Sequence, residues 1–99
     1  MSQREEEILQ DSIEILVREL NPGLIYLFGS RAKGEARTGS DFDFAVDCPP
    51  PDRTKVRRAK DMLDAIAGLY SIDIVFLPEV DPGFKEIILD TVKIIYEKK

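Results

Sequence analysis

Three aspartates, a glycine and a serine carry most of the chemistry this sequence can offer. Gly29-Ser30 is followed, after ten intervening residues, by Asp41-Phe42-Asp43, and Asp73 interrupts the apolar stretch 72–77. Period two along a strand places Asp41 and Asp43 on one face and Phe42 and Phe44 on the other. Their Cα atoms then stand ~6.5–7 Å apart, so both carboxylates can converge on metal ions spaced ~3.5–4 Å, the arrangement used for in-line phosphoryl chemistry. Alternation on a half-exposed strand also yields paired aspartates on a merely solvated face. Acidic residues are poor strand formers, however, and two at alternate positions are a costly way to be polar. Asp73, an unpaired carboxylate in an apolar strand, must sit at a rim or beside a cation. If the two strands are neighbours, all three aspartates line one site. Gly29-Ser30 supplies the anion end: glycine permits close backbone approach, Ser30 can cap the short turn behind it, and amides at such an N-terminus point at an anion. Arg31, Lys33 and Arg37 add positive charge on the same loop. Gly-Ser before Arg is by itself an ordinary turn, and its spacing to the aspartate pair is what raises it.

These residues need elements to hold them. Ser2 and Glu5 have the spacing of a capping box, and Ile8, Leu9, Ile13, Leu16, Val17 and Leu20 recur at helical period until Asn21-Pro22-Gly23 ends the pattern. Residues 24–28 form a short apolar run before glycine and read as a strand buried on both faces. Residues 29–40 read as a loop or a single helical turn, and 41–46 alternate strictly as a second strand. Pro49-Pro50-Pro51 breaks the chain, and Asp52 is placed to cap a helix whose stripe is Val56, Ala59, Met62, Leu63, Ile66 and Tyr70. A third strand spans 72–77 and is closed by Pro78. Asp81-Pro82 opens a last helix through Phe84, Ile87, Ile88 and Leu89. The tail 92–96 suits further helix or an edge strand, and its β-branched content favours the strand. The expected fold class is α+β, a two-layer arrangement of a small mixed β-sheet with helices packed on one side, in a single domain over 1–99.

Composition narrows the chemistry further. The chain has 99 residues, 43% apolar and 33% charged, which suits one folded domain. A domain of this size buries somewhat over ~60% of the surface its unfolded chain exposes, enough for one sheet with helices against it and no second lobe. With no histidine, imidazole bases and His-ligated zinc or haem are excluded, leaving carboxylates, hydroxyls, Lys and Arg. A lone cysteine, Cys48, forms no internal disulfide, and a reducing cytoplasm fits. No segment is apolar enough for a membrane span or a signal sequence. The net charge of −5 argues against direct, sequence-independent nucleic-acid binding.

The stretch Gly29-Ser30-Arg31-Ala32-Lys33-Gly34-Glu35-Ala36, then Ser40-Asp41-Phe42-Asp43-Phe44-Ala45-Val46, then Ile72-Asp73-Ile74-Val75 resembles the minimal nucleotidyltransferase (MNT) group of the DNA polymerase β-like superfamily. The likeness covers nearly the whole chain. It implies a nucleotidyltransferase core in which Gly29 and Ser30, with Arg31 and Lys33, hold the phosphates of ATP. It implies that Asp41, Asp43 and Asp73 are the catalytic and metal-binding carboxylates for two Mg²⁺ ions, with Asp73 on the metal that activates the acceptor hydroxyl or acting as its base. Members of the group pair with HEPN-domain toxins and silence them by transferring AMP to a tyrosine. The resemblance therefore implies an antitoxin acting by protein adenylylation, with a HEPN toxin as hetero-oligomeric partner. Phe42 and Phe44 stand where smaller aliphatics are commoner in the group, and Thr38-Gly39 departs from the usual loop.

Two other readings stay open: a binding module that masks its HEPN partner without turnover, and nucleotidyl transfer to a small molecule, which the chain's length disfavours. Arg53, Lys55, Arg57, Arg58 and Lys60 read first as a solvated helix face and second as a partner surface. Tyr26 and Tyr70 read as packing, Cys48 as structural, and Glu5-Glu6-Glu7 as charge suited to the positive end of the first helix.

Overall fold

The computed structural model describes residues 2–32, 34, 41–90 and 92–99. In chain order the described elements are α1 (Gln3–Leu20), β1 (Leu24–Phe28), a 3₁₀ turn (Gly29–Arg31), β2 (Phe42–Val46), α2 (Arg53–Ala67), β3 (Ile72–Phe76), a second 3₁₀ turn (Leu77–Glu79), α3 (Pro82–Asp90) and β4 (Lys93–Glu97). The expected capping box is present: the Glu5 amide donates to Ser2 Oγ, and the Ser2 amide donates to the Glu5 carboxylate. Asn21 closes α1 in the left-handed region at φ 48°, its N–H donating to the Val17 carbonyl. Asp52 caps α2 by accepting from the Lys55 amide at 3.0 Å.

The strands form one mixed sheet in the order β3-β2-β1-β4. β1 pairs antiparallel with both β2 and β4, so the tail is an edge strand. β2 and β3 run parallel, with α2 as the crossover between them. Strand period two divides the sheet into two faces. Ile25, Leu27, Phe42, Phe44 and Val46 point into the main core, where α1 supplies Ile8, Ile15 and Leu16 and α2 supplies Leu63 and Ala67. These helices run antiparallel, Arg4 reaching the Ile66 carbonyl at one end and Arg58 pairing with Glu19 at the other. Tyr70 closes this layer edge-on against Phe42, ring centroids 5.9 Å apart. Half-buried Cys48 packs against the same core, and burial raises its thiol pKa.

The fold class is α+β as expected, but the helices do not all share one side. Ile88 of α3 packs on the opposite face, against Ala45 and Leu77 with Tyr26, Phe28 and Val75 around them. Of the α3 positions expected to face a core, only Ile88 is buried, whereas Phe84, Ile87 and Leu89 are exposed. The cause is geometric: α3 has only nine residues and meets a small apolar patch built from β1, β2, β3 and the turn after β3, so one side chain comes into register with it. The second strand begins at Phe42 and not Asp41, and the third ends at Phe76, where Pro78 turns the chain into a 3₁₀ turn.

Candidate active site

The face that carries Ala45 also carries Asp43, two residues earlier on β2. In the parallel ladder Asp43 stands opposite Asp73 of β3, and in the antiparallel ladder it stands opposite Phe28, the last residue of β1. Neighbouring strands lie ~4.8 Å apart, so the two carboxylates rise side by side from one face. Asp73 is exposed, which puts it at the rim, as an unpaired carboxylate in an apolar strand requires. Asp41 is exposed one residue ahead of β2, and the following amide, that of Phe42, donates to the Ser71 carbonyl at 2.9 Å.

Gly29 completes this corner. Its φ is +76°, and a Cβ built on it would lie 2.5 Å from Asp43 Oδ2. The chain leaves β1 in a conformation that favours glycine, and the space a side chain would fill is taken by the Asp43 carboxylate. Ser30 continues in the 3₁₀ turn, while its side chain, Lys33 and Arg37 lie outside the described residues.

The electrostatics follow from this crowding. Burial raises the Asp43 pKa, and the charges of Asp73 and Asp41 raise it further, while Arg31 pulls it down. Asp73 and Asp41 therefore stand close enough to disfavour the ionised form of Asp43, and a cation placed among them would relieve that repulsion. Among the described residues no three Asp, Glu or Cys side chains are gathered tightly enough to cage a metal ion. The arrangement is a row of neighbours along a sheet edge, not a closed coordination shell. Their oxygen donors suit a hard divalent cation such as Mg²⁺, which keeps several of its waters and takes few protein ligands.

Arg31, which the resemblance puts on the nucleotide, packs inward in this structure. It is 6% exposed, and its Nη2 donates to Glu5 Oε2 at 2.7 Å. Its Nε donates to the Asp41 carbonyl at 3.2 Å, and its Cζ sits 3.9 Å above the Phe42 ring centroid. A guanidinium buried on a carboxylate and two aromatic rings is held inside the protein. Glu5, read from sequence as a helix-end charge, is the partner that this reading misses. The capping-box spacing is a signal for its bond to Ser2, and nothing in the spacing points to Arg31. The basic cluster on α2 lies elsewhere: Arg53, Arg57 and Lys60 line an open cleft of about 700 Å³ with Pro50, Pro51, Asp61 and Glu79, and none of Asp41, Asp43 and Asp73 borders it.

The comparisons agree with this architecture. A family model described as "Polymerase beta, Nucleotidyltransferase" matches residues 10–99. No curated protein matches the chain. Among solved structures, a chain of a toxin-antitoxin complex with AMP-PNP superposes with a TM-score of 0.70 at 26% identity, over 91% of this chain and 74% of its own. A protein described as a minimal nucleotidyltransferase superposes with a TM-score of 0.67 at 27% identity, over 89% of this chain and 92% of its own. A third match, in a complex of MNT antitoxin with the tri-AMPylated HEPN toxin of Shewanella oneidensis, has a TM-score of 0.71 at 21% identity, over 94% and 72%, and speaks to the fold alone. With the glycine turn, the aspartate strand and the third aspartate all inside the matched stretch, this chain belongs to the polymerase β nucleotidyltransferase family.

Proposed function

We propose that this chain transfers AMP from ATP to a protein hydroxyl, a tyrosine of a HEPN-domain toxin, and so acts as an antitoxin. The observation that carries this reading is the register that sets Asp43 beside Asp73, with Gly29 leaving room for the Asp43 carboxylate. Support for the nucleotide and the acceptor comes from the relatives: one solved neighbour is a toxin-antitoxin complex with AMP-PNP, and another contains a tri-AMPylated HEPN toxin.

In this reading the backbone of the Gly29–Arg31 turn, with Ser30 and Lys33, receives the triphosphate. Asp41, Asp43 and Asp73 are the residues that would hold Mg²⁺. Bound there, the metal supplies charge neutralisation on the phosphates and a lowered pKa for the acceptor hydroxyl. The tyrosine oxygen forms a bond to the α-phosphorus, the bond from that phosphorus to the α,β-bridging oxygen breaks, and pyrophosphate leaves. Asp73, exposed at the rim where an acceptor can approach, takes the phenolic proton.

The test is to incubate the protein with the HEPN-domain product of its neighbouring gene, ATP and Mg²⁺, and to take intact masses of both chains. The expected result is adenylyl increments on the HEPN protein that disappear with Asp41→Asn or Asp43→Asn. Neutralisation of the toxin that persists undiminished in both variants would replace this reading with masking. Increments on the toxin that survive Tyr→Phe at the modified position would exclude a tyrosine acceptor.

A further inference from the structure

We infer that Glu5, on the first turn of α1, is a positioning residue for this site, holding Asp41 in place through Arg31. The inference rests on the nucleotidyl-transfer reading for its kinetic consequence and on the geometry alone for its structural one. Glu5 lies outside the stretch that matches the family model, which begins at residue 10.

The connection runs through three bonded groups. Glu5 is 4% exposed, and its two carboxylate oxygens have different tasks: Oε1 accepts from the Ser2 amide at 3.0 Å, and Oε2 accepts from Arg31 Nη2 at 2.7 Å. Arg31 carries its donors in a rigid planar fork, so holding Nη2 on Glu5 sets the direction of the neighbouring Nε. Nε donates to the Asp41 carbonyl. Stacking over Phe42 and proximity to Tyr70 prevent the guanidinium from tilting out of this plane. Asp41 needs such support because it precedes β2 and belongs to no ladder. Among the described residues, the Asp41–Phe42 peptide has two hydrogen-bonded anchors: Arg31 on its carbonyl and Ser71 on the Phe42 amide. A carboxylate at the start of α1 thereby controls a backbone position next to the aspartate pair.

Glu5→Gln separates this role from that of the cap, since Gln serves equally at the third position of a capping box but brings no charge to Arg31. Hydrogen exchange at the Phe42 amide is the readout independent of activity. Protection there is expected to fall at least tenfold, while amides of Ile25 and Leu27 at the centre of the sheet keep theirs. In the transfer assay kcat is expected to fall about tenfold with little change in the KM for ATP, because small misplacements of a reacting group are costly. Arg31→Lys is the second variant, keeping the charge on Glu5 but lacking a second donor fixed in the same plane, and it is expected to loosen Phe42 in the same way. Wild-type protection at Phe42 in both variants would overturn the inference, as would loss of protection spread evenly over the sheet or an unchanged kcat in an active wild-type background. A wild type without transfer activity would defeat the enzymatic reading, and exchange at Phe42 would still decide the role of Glu5.

Discussion

Gly29 and the Asp43 carboxylate occupy what would be one side chain's worth of space. Gly29→Ala has to meet both a left-handed φ of +76° and a contact of 2.5 Å with Asp43 Oδ2. The backbone term alone costs about 1–2 kcal/mol, readable as a shift in the urea midpoint. The contact adds a second effect, displacement of Asp43, so transfer activity is expected to fall well beyond what the lost stability explains. Asp43→Asn acts in the opposite direction on stability. The ionised carboxylate is disfavoured by burial and by two neighbouring aspartates, so removing its charge should raise the Tm of the metal-free protein by a few degrees while abolishing transfer. A Tm that falls in this variant would show that Asp43 contributes more by bonding than it costs by charge. The alternation of residues 41–46 was enough to pair Asp43 with Phe44 on opposite faces. It extended the strand one residue too far at Asp41, because period two describes direction and does not say where the ladder ends.

At the scale of elements, α2 carries its charge against its own dipole. It has no acidic residue in its first turn, whereas Arg53 and Lys55 stand there and Arg57 and Arg58 follow. Cations at that end are opposed by the positive pole, so Arg53→Glu is expected to stabilise the protein by about 0.3–1 kcal/mol at low salt. Calorimetric scans at low and high salt check this, the gain shrinking as salt screens an exposed charge. α2 also guards the outer edge of the sheet, the Lys60 ammonium donating to the Ile72 carbonyl on β3. Among the described residues, three strands and three helices were legible in the sequence, through the apolar run of β1, the alternation of β2 and the stripes of α1 and α2, while the tail that forms β4 suited either a helix or an edge strand. The side taken by α3 was not. A stripe such as Phe84, Ile87, Ile88 indicates that a helix packs, but both faces of this sheet offer apolar surface, and the choice depends on the hand and length of the connections.

Across the whole molecule, the Glu5–Arg31 pair spans 26 positions and joins the first helix to the turn after β1. No local pattern encodes it, because the contact exists only once α1 lies across the sheet at the observed angle. Its trace is thermodynamic. The bond from the Ser2 amide, followed by that from Arg31, lowers the Glu5 pKa from 4.5 to about 2. A carboxylate whose pKa is depressed on folding contributes stability that is fully present above its unfolded value and is lost as the pH falls towards its folded one. Urea midpoints measured in steps from pH 4.5 to 2 should therefore drop more steeply in the wild type than in Glu5→Gln. Parallel curves would remove this contribution from Glu5. The pairing of Asp43 with Asp73 has a consequence in time as well as in space. These aspartates stand thirty positions apart with the whole of α2 between them, yet they are direct neighbours across a parallel ladder. Parallel pairing repays the entropy of closing that loop only when the crossover helix has docked. A chain in which α2 has not yet docked therefore cannot hold the two carboxylates together, and the site appears only with the crossover.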